Sequence, residues 1–139
     1  MASYNVSIQL HSKGFGDIID ITGDAQEALH ASGIKSGIMR LFVPGSTGAV
    51  TTIEYEEGVI EDLRAAIDKL VPSSATYKHD MRWGDGNGFS HVRAALMKPG
   101  ITVPVVNGEA TLGTWQQIVF IDFDNRPRKR SIVVQITGD

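Results

Sequence analysis

Apolar positions along this chain recur with two different periods, and the changes of period mark out its elements. From Tyr4 to Leu10 apolar and polar residues alternate as in a half-buried strand, and Phe15 to Ile21 supplies a second short strand beyond the Gly14 and Gly16 turn. The period then lengthens to that of a helix. Thr22 can cap its start, Asp24 lies in its first turn, Ala25, Ala28 and Leu29 share a face, and Gly33 suits a left-handed stop. Ser36 to Val43 and Ala49 to Tyr55 read as two strands joined by the small, hydroxyl-rich turn Pro44-Gly45-Ser46-Thr47-Gly48.

The clearest helix runs from Gly58 to Val71, with Val59, Ile60, Leu63, Ile67 and Leu70 on one stripe and most of the charges on the other. Pro72 ends it. Ser90 to Met97 predicts a short helix stopped by Pro99-Gly100. The remainder is a meander: Ile101 to Val106, the Asn107-Gly108 turn, Ala110 to Phe123, a turn at Asp124-Asn125-Arg126-Pro127, and Ser131 to Ile136. Around Trp115 to Phe123 both faces are apolar in the middle, so both need cover. With so few helices, a neighbouring subunit is one source of that cover, which favours a homo-oligomer.

Tyr77 to His91 breaks the pattern. These fifteen residues hold two of the four histidines, two aspartates, an arginine, an asparagine and three glycines, and predict a polar loop with no hydrophobic element. Glycines there let the backbone approach a ligand, which makes this segment the first place to look for function.

Composition narrows the setting. At 139 residues with 42% hydrophobic content the chain reads as one domain, residues 1–139. A formal charge of −3 argues against a nucleic-acid partner, because phosphate-backbone affinity rests on surplus Lys and Arg. The absence of cysteine excludes thiolate chemistry and Cys-ligated metals, so any metal must sit on imidazole, carboxylate or carbonyl. The first ten residues lack a basic region followed by an apolar run, and no stretch is apolar enough to span a bilayer. A soluble cytoplasmic protein with no membrane partner is expected.

Two chemistries are open for the polar segment. His79 and His91, with a carboxylate from Asp85 or Glu54, can form an open three-ligand site for zinc or a similar divalent ion, although their spacing matches no metal signature. The same histidines with Arg82 can instead hold an anion, helped by backbone N–H groups of the Gly84 to Gly88 loop and the helix start near Ser90. Ser46 and Thr47 suit a phosphate-cradling turn or a plain hairpin, and lack a Walker pattern. A Ser90-His91-Asp80 triad is disfavoured, because adjacent helical side chains diverge by about 100°. The Arg126 to Arg130 run reads as a solvated hairpin corner that discourages edge pairing. Trp83, in the loop, is a better ligand contact than Trp115, which reads as core.

Four strings carry a resemblance: Gly-Asp-Gly-Asn-Gly-Phe-Ser-His (84–91), Leu-Gly-Thr-Trp-Gln-Gln-Ile (112–118), Asp-Phe-Asp-Asn-Arg-Pro-Arg (122–128) and the closing Val-Gln-Ile-Thr-Gly. Together they resemble the YjbQ-like family across nearly the whole chain. The resemblance implies an α+β fold, a mostly antiparallel sheet layered with two or three helices, in a homotrimer with polar pockets near subunit contacts. It also implies weak thiamine-phosphate synthase activity on phosphorylated heterocycles, with a divalent metal such as Zn or Mg; the alternative is a metal- or anion-binding protein without significant catalysis.

The matching positions are Ser46, Thr47, Glu54, His79, Asp80, Asp85, Asn87, Ser90, His91, Trp115 and Gln116. Under this reading His79, Asp85, His91 and Glu54 are catalytic, with His79 and His91 also the metal candidates. Ser46, Thr47, Asp80, Arg82, Asn87, Ser90, Trp115 and Gln116 bind the ligand. Gly45 and Phe89 depart from the commoner pattern, in which many members carry histidine, and this implies a reduced or altered site.

Overall fold

The computed structural model describes all residues, Met1–Asp139, as an α+β fold in which every strand pairing is antiparallel. In chain order the elements are β1 (Ala2–Ser12), β2 (Asp17–Asp20), α1 (Thr22–Ser32), β3 (Ser36–Phe42), β4 (Gly48–Ile53), α2 (Glu57–Leu70), α3 (Lys78–Trp83), α4 (Gly88–Met97), β5 (Gly100–Val106), β6 (Glu109–Ala110), β7 (Gln117–Asp122) and β8 (Arg128–Gly138). Two sheets result, one of five strands in the order β1-β8-β3-β5-β6 and one of three in the order β2-β7-β4.

The alternation read in β1 does what its period requires. Ile8 is buried and Tyr4, Val6 and Leu10 pack against the main core, while Ser7, Gln9 and His11 face out. That core lies between the inner face of the five-stranded sheet and a cover made of the three-stranded sheet and α1, whose Ala25, Ala28 and Leu29 are buried in it. A second core of Ile18, Ala49, Ile67, Ala94, Val119, Ile121 and Phe123 joins the other face of the small sheet to α2 and α4.

β7 is therefore the middle layer. Ile118 and Phe120 point into the first core and Val119 and Ile121 into the second, all fully buried. The expectation that a neighbouring subunit covers one face is corrected here, because helices of the same chain cover it. β7 also begins later than its sequence pattern predicts: residues 111–116 form no strand and leave Trp115 73% exposed, not in the core.

Local details follow from capping. Glu56 caps α2 through both carboxylate oxygens, which accept from the Gly58 and Val59 N–H groups at 2.9 Å and hold its carboxyl below the ordinary range. Thr22 does not cap α1; its hydroxyl donates to Asp20 at 2.6 Å and accepts the Ile118 N–H at 2.8 Å, tying the helix start to β7. The polar segment, expected as loop, folds into α3 and the start of α4, which raises the helix count to four.

Three connections cross between the sheets at one end of the layers: β1 to β2, β3 to β4, and β7 to β8. Register fixes the coincidence, since Asp122 pairs with both Asp17 and Gly48, and Ser12 pairs with Arg128. The site described below sits at this end. Phe120 fills the centre between the sheets with no solvent exposure, so Phe120→Ala should cost about 3–5 kcal/mol, read as a lowered denaturation midpoint with unchanged slope in a urea titration.

Candidate functional site

Polar groups from all three crossings meet under the small sheet's end. Arg130 of β8, only 6% exposed, forms a fork on the fully buried Asp122 of β7, with Nε to Oδ2 and Nη2 to Oδ1 both at 2.8 Å. Its Nη2 also donates to Thr47 Oγ1 at 2.8 Å, and Ser12 donates to Asp122 Oδ2 at 2.5 Å. Next to this pair the buried Asp124 accepts from Thr47 at 3.3 Å and from Arg128. One bidentate ion pair thus joins the two sheets, and a hydroxyl from each of the other two crossings completes it.

Burial pushes the Asp122 carboxyl up, but hydrogen bonds from Arg130, Ser12 and the Asp124 N–H, with the Arg130 charge, outweigh burial and hold it below the ordinary carboxylate range. The same contest, decided by the Asn125 N–H, Asn87 and Arg128, lowers Asp124. Neither result was legible in the sequence, where Arg128 and Arg130 read as a solvated corner. The structure corrects that reading for these two residues: strand alternation turns both side chains inward, Arg130 onto Asp122 at the end of β7 and Arg128 onto Asp124 in the turn beyond it.

α3 and α4 lie across this network. Gly88 allows their close approach, because a Cβ there would stand 2.6 Å from Tyr77 Cβ, and its N–H donates to Asp80 Oδ1 at 2.8 Å. The packing sets the rings of His79 and His91 side by side, centroids 4.5 Å apart and tilted by 54°. His79 Nε2 lies 3.1 Å from Asp85 Oδ1 and 3.0 Å from the Asn87 amide. That amide also stands 3.2 Å from both Asp85 oxygens and 3.5 Å from Asp124 Oδ1. With its nitrogen turned to Asp85, Asn87 donates to the carboxylate and to a bare His79 Nε2; with its oxygen there it accepts from a protonated one. Asn87 orientation and His79 tautomer are therefore coupled.

Between this helix pair and the crossings opens a hollow of about 500 Å³. His79, His91, Asp85, Asn87 and Trp83 form one wall, and Gly45, Ser46, Thr47, Asp124, Arg128 and Arg130 the other. Donor atoms of His79, Asp80 and Asp85 all lie within 4.8 Å of one another, a mixed nitrogen and oxygen set that fits a divalent cation. His91 is not in that set, so the donors converging with His79 are carboxylates and not the second imidazole. Neither ring nitrogen of His91 hydrogen-bonds within the chain.

The structure brings together most but not all of the residues read from sequence. Ser46, Thr47, His79, Asp85, Asn87 and His91 share the hollow, with Asp80 beside it and Trp83 on its wall. Arg82 is exposed, stacked over Trp83 at 5.4 Å, and does not line it. Ser90 is fully buried with an unpartnered hydroxyl and no bond to His91, so the triad arrangement is absent. Phe89 is buried beneath Arg93, 5.0 Å from its guanidinium, and takes no part in the wall. Glu54, Trp115 and Gln116 lie at the opposite end of β4, roughly 20 Å along the strand, where Gln116 donates to Thr52 at 3.2 Å. Within one chain they do not reach the hollow, nor does Glu54 reach the histidines.

A sequence model of the family described as UPF0047 protein YjbQ-like matches residues 6–139. The chain belongs to that family. Among its relatives, a UPF0047 protein of Methanothermobacter thermautotrophicus is 38% identical over 138 residues, covering 99% of this chain and 94% of the relative. Another, from Archaeoglobus fulgidus, is 37% identical over 119 residues, covering 86% and 90%. The crystal structure of a YbjQ-like protein of unknown function from Sulfolobus solfataricus superposes with a TM-score of 0.94 at 31% identity over 99% of both chains. A Clostridium acetobutylicum family member gives 0.87 at 32%, covering 95% of this chain and 99% of its own. No helix is long and apolar enough to cross a membrane.

The network sets an acid limit. Native carboxyls below their unfolded values contribute stability that is complete above the ordinary range near about pH 4 and lost as pH falls through it toward the lowered native values. Thermal melts of the wild type should fall off below about pH 4. Asp122→Ala, which strands the buried Arg130 charge, should lose about 3–5 kcal/mol at neutral pH and show a flatter acid limb.

Proposed function

We propose that the hollow binds a phosphorylated heterocycle beside a divalent cation, and that this protein is a weak cytoplasmic transferase of thiamine-phosphate synthase type. One observation carries the reading: His79 and Asp85, with Asp80 beside them in the same donor set, face a wall of hydroxyl and guanidinium groups across one space. Such a reaction expels pyrophosphate while a thiazole-phosphate nitrogen attacks, so the protein must mainly hold two anions in register and accept charge at the leaving group. A cation held by His79, Asp80 and Asp85 would neutralise that charge.

The chain's own groups do the rest. Ser46 and the unpartnered His91 ring donate to phosphate oxygens, and the exposed Trp83 face stacks on a heteroaromatic ring. Asn87, whose amide stands 3.0 Å from Nε2 in either orientation, sets the His79 tautomer, and a cation taking the Nε2 lone pair displaces that amide contact. A homotrimer belongs to this reading. Glu54, Trp115 and Gln116 can act at the hollow only from a neighbouring copy, since their own chain holds them at the far end of β4.

A second reading is cation and anion binding without turnover, since the same carboxylate, imidazole, hydroxyl and guanidinium groups hold both ions whether or not a reaction follows. The two readings separate in one experiment. Purified protein given the pyrimidine diphosphate, the thiazole phosphate and Mg²⁺ should form thiamine phosphate, and Asp85→Asn and His91→Ala should each slow it about tenfold or more. Metal retention after gel filtration should fall in Asp85→Asn and not in His91→Ala. Retained metal and ligand without product would establish the second reading, and loss of neither metal nor product in Asp85→Asn would refute both.

A further inference from the structure

We propose that Nη1 of Arg130 is a fixed oxyanion anchor at the floor of the hollow, left uncovered by Gly45. This deepens the phosphorylated-ligand reading above and rests on it. Two of the three guanidinium nitrogens are pinned, Nε and Nη2 on Asp122 and Nη2 also on Thr47. Nη1 finds no acceptor in the protein, although the side chain is only 5% exposed. Nη1 is not sealed from solvent, since the Ser90 hydroxyl is the only fully buried side-chain polar atom without a partner, so an incoming oxyanion takes the place of water on a donor whose guanidinium is already fixed.

Its open side faces Gly45. A Cβ built on that residue would stand 3.5 Å from Nη1, so any side chain there would lie over the nitrogen, and the backbone φ of +120° also favours glycine. Gly45, Arg130 and Ser46 all line the hollow, so Nη1 opens into the space where the histidines stand. The neighbouring Arg128 is bound to Asp124 through Nη1 alone and its side chain is 32% exposed, so its remaining nitrogens are less firmly fixed than Nη1 of Arg130.

The chemistry of the recognised group follows. Nη1 offers N–H donors and no acceptor, so it takes an oxygen anion and rejects a cation or a second donor. Because its partners already fix the rotamer, binding loses little side-chain entropy, and the planar fork orients the anion. Asp122 offsets much of the net charge, so the contact orients a phosphoryl group more than it raises affinity. A phosphoryl oxygen seated here points the rest of the ligand toward His79 and Asp85.

The probe is inorganic pyrophosphate in excess chelator, which removes the metal and any need for turnover. Titrated into wild-type protein, it should shift the Arg130 side-chain ¹⁵N and ¹H resonances saturably. Arg130→Lys keeps a cation on Asp122 but cannot present a third nitrogen, and it should bind about tenfold more weakly, the value of one charge-assisted hydrogen bond. Gly45→Ala leaves the Asp122 pair intact and should weaken binding while the melting temperature shows the protein folded. Should the lysine variant not fold, the wild-type resonances and Gly45→Ala decide the matter. Saturable binding that leaves the Arg130 signals unmoved, equal affinity in folded variants, or binding only when a divalent ion is added would overturn the proposal. So would no binding in the millimolar range. Failure to make thiamine phosphate would leave it standing.

Discussion

The Arg130–Asp122 ion pair is the constraint on which the site's geometry depends. It ties a strand of the large sheet to the middle strand of the small one at the end where three connections cross, and hydroxyls from the other two crossings close around it. Two largely desolvated charges gain net stability only with near-ideal geometry and further hydrogen bonds, and this pair has both. Such a pair acts as a register device, because the fork fixes which residue of β8 stands against the end of β7.

The remaining site parts are consequences of that anchor. Asp124, two residues on, reaches Asn87 at the start of α4, and Asn125 donates to the Asp85 carbonyl at 3.0 Å. Through these contacts the corner between β7 and β8 holds the α3–α4 segment, so the histidines stand on a helix pair fastened to a rigid end of two sheets. Arg93 fastens the other side, donating to the Val71 carbonyl at 2.8 Å and to Asp68. A site built this way needs little rearrangement to receive a ligand.

Periodic elements were legible in the sequence, and the buried polar groups were not. The amphipathic stripe of α2 and the Asn107-Gly108 corner declare themselves because burial and turn chemistry act within a few residues. His79, Asp85 and His91 stood out because polar density in a glycine-rich segment is locally visible, although the same polarity hid α3, whose six residues have no buried face. Arg128 and Arg130 were read as solvated because a buried cation is recognisable only once its carboxylate is known to lie opposite, and that depends on register between distant strands. Apolar residues on both sides of β7 suggest assembly for a similar reason: the pattern shows that both faces need cover but not which element supplies it. Glu54, Trp115 and Gln116, singled out by family likeness alone, were separated from the hollow by the plain length of β4.

The place of β8 in the large sheet has a consequence for biosynthesis. It lies between β1 and β3 and pairs with β1 along eleven residues, from Ala2 opposite Gly138 to Ser12 opposite Arg128. While the chain is being made, β3 and β5 can find each other early, but β1 waits with open backbone groups until the final strand has left the ribosome. The same late arrival delivers both guanidinium groups. A nascent chain therefore carries its histidines and aspartates well before it has the cations that organise them, and acquires order at the sheet's centre and at the hollow in a single closing event.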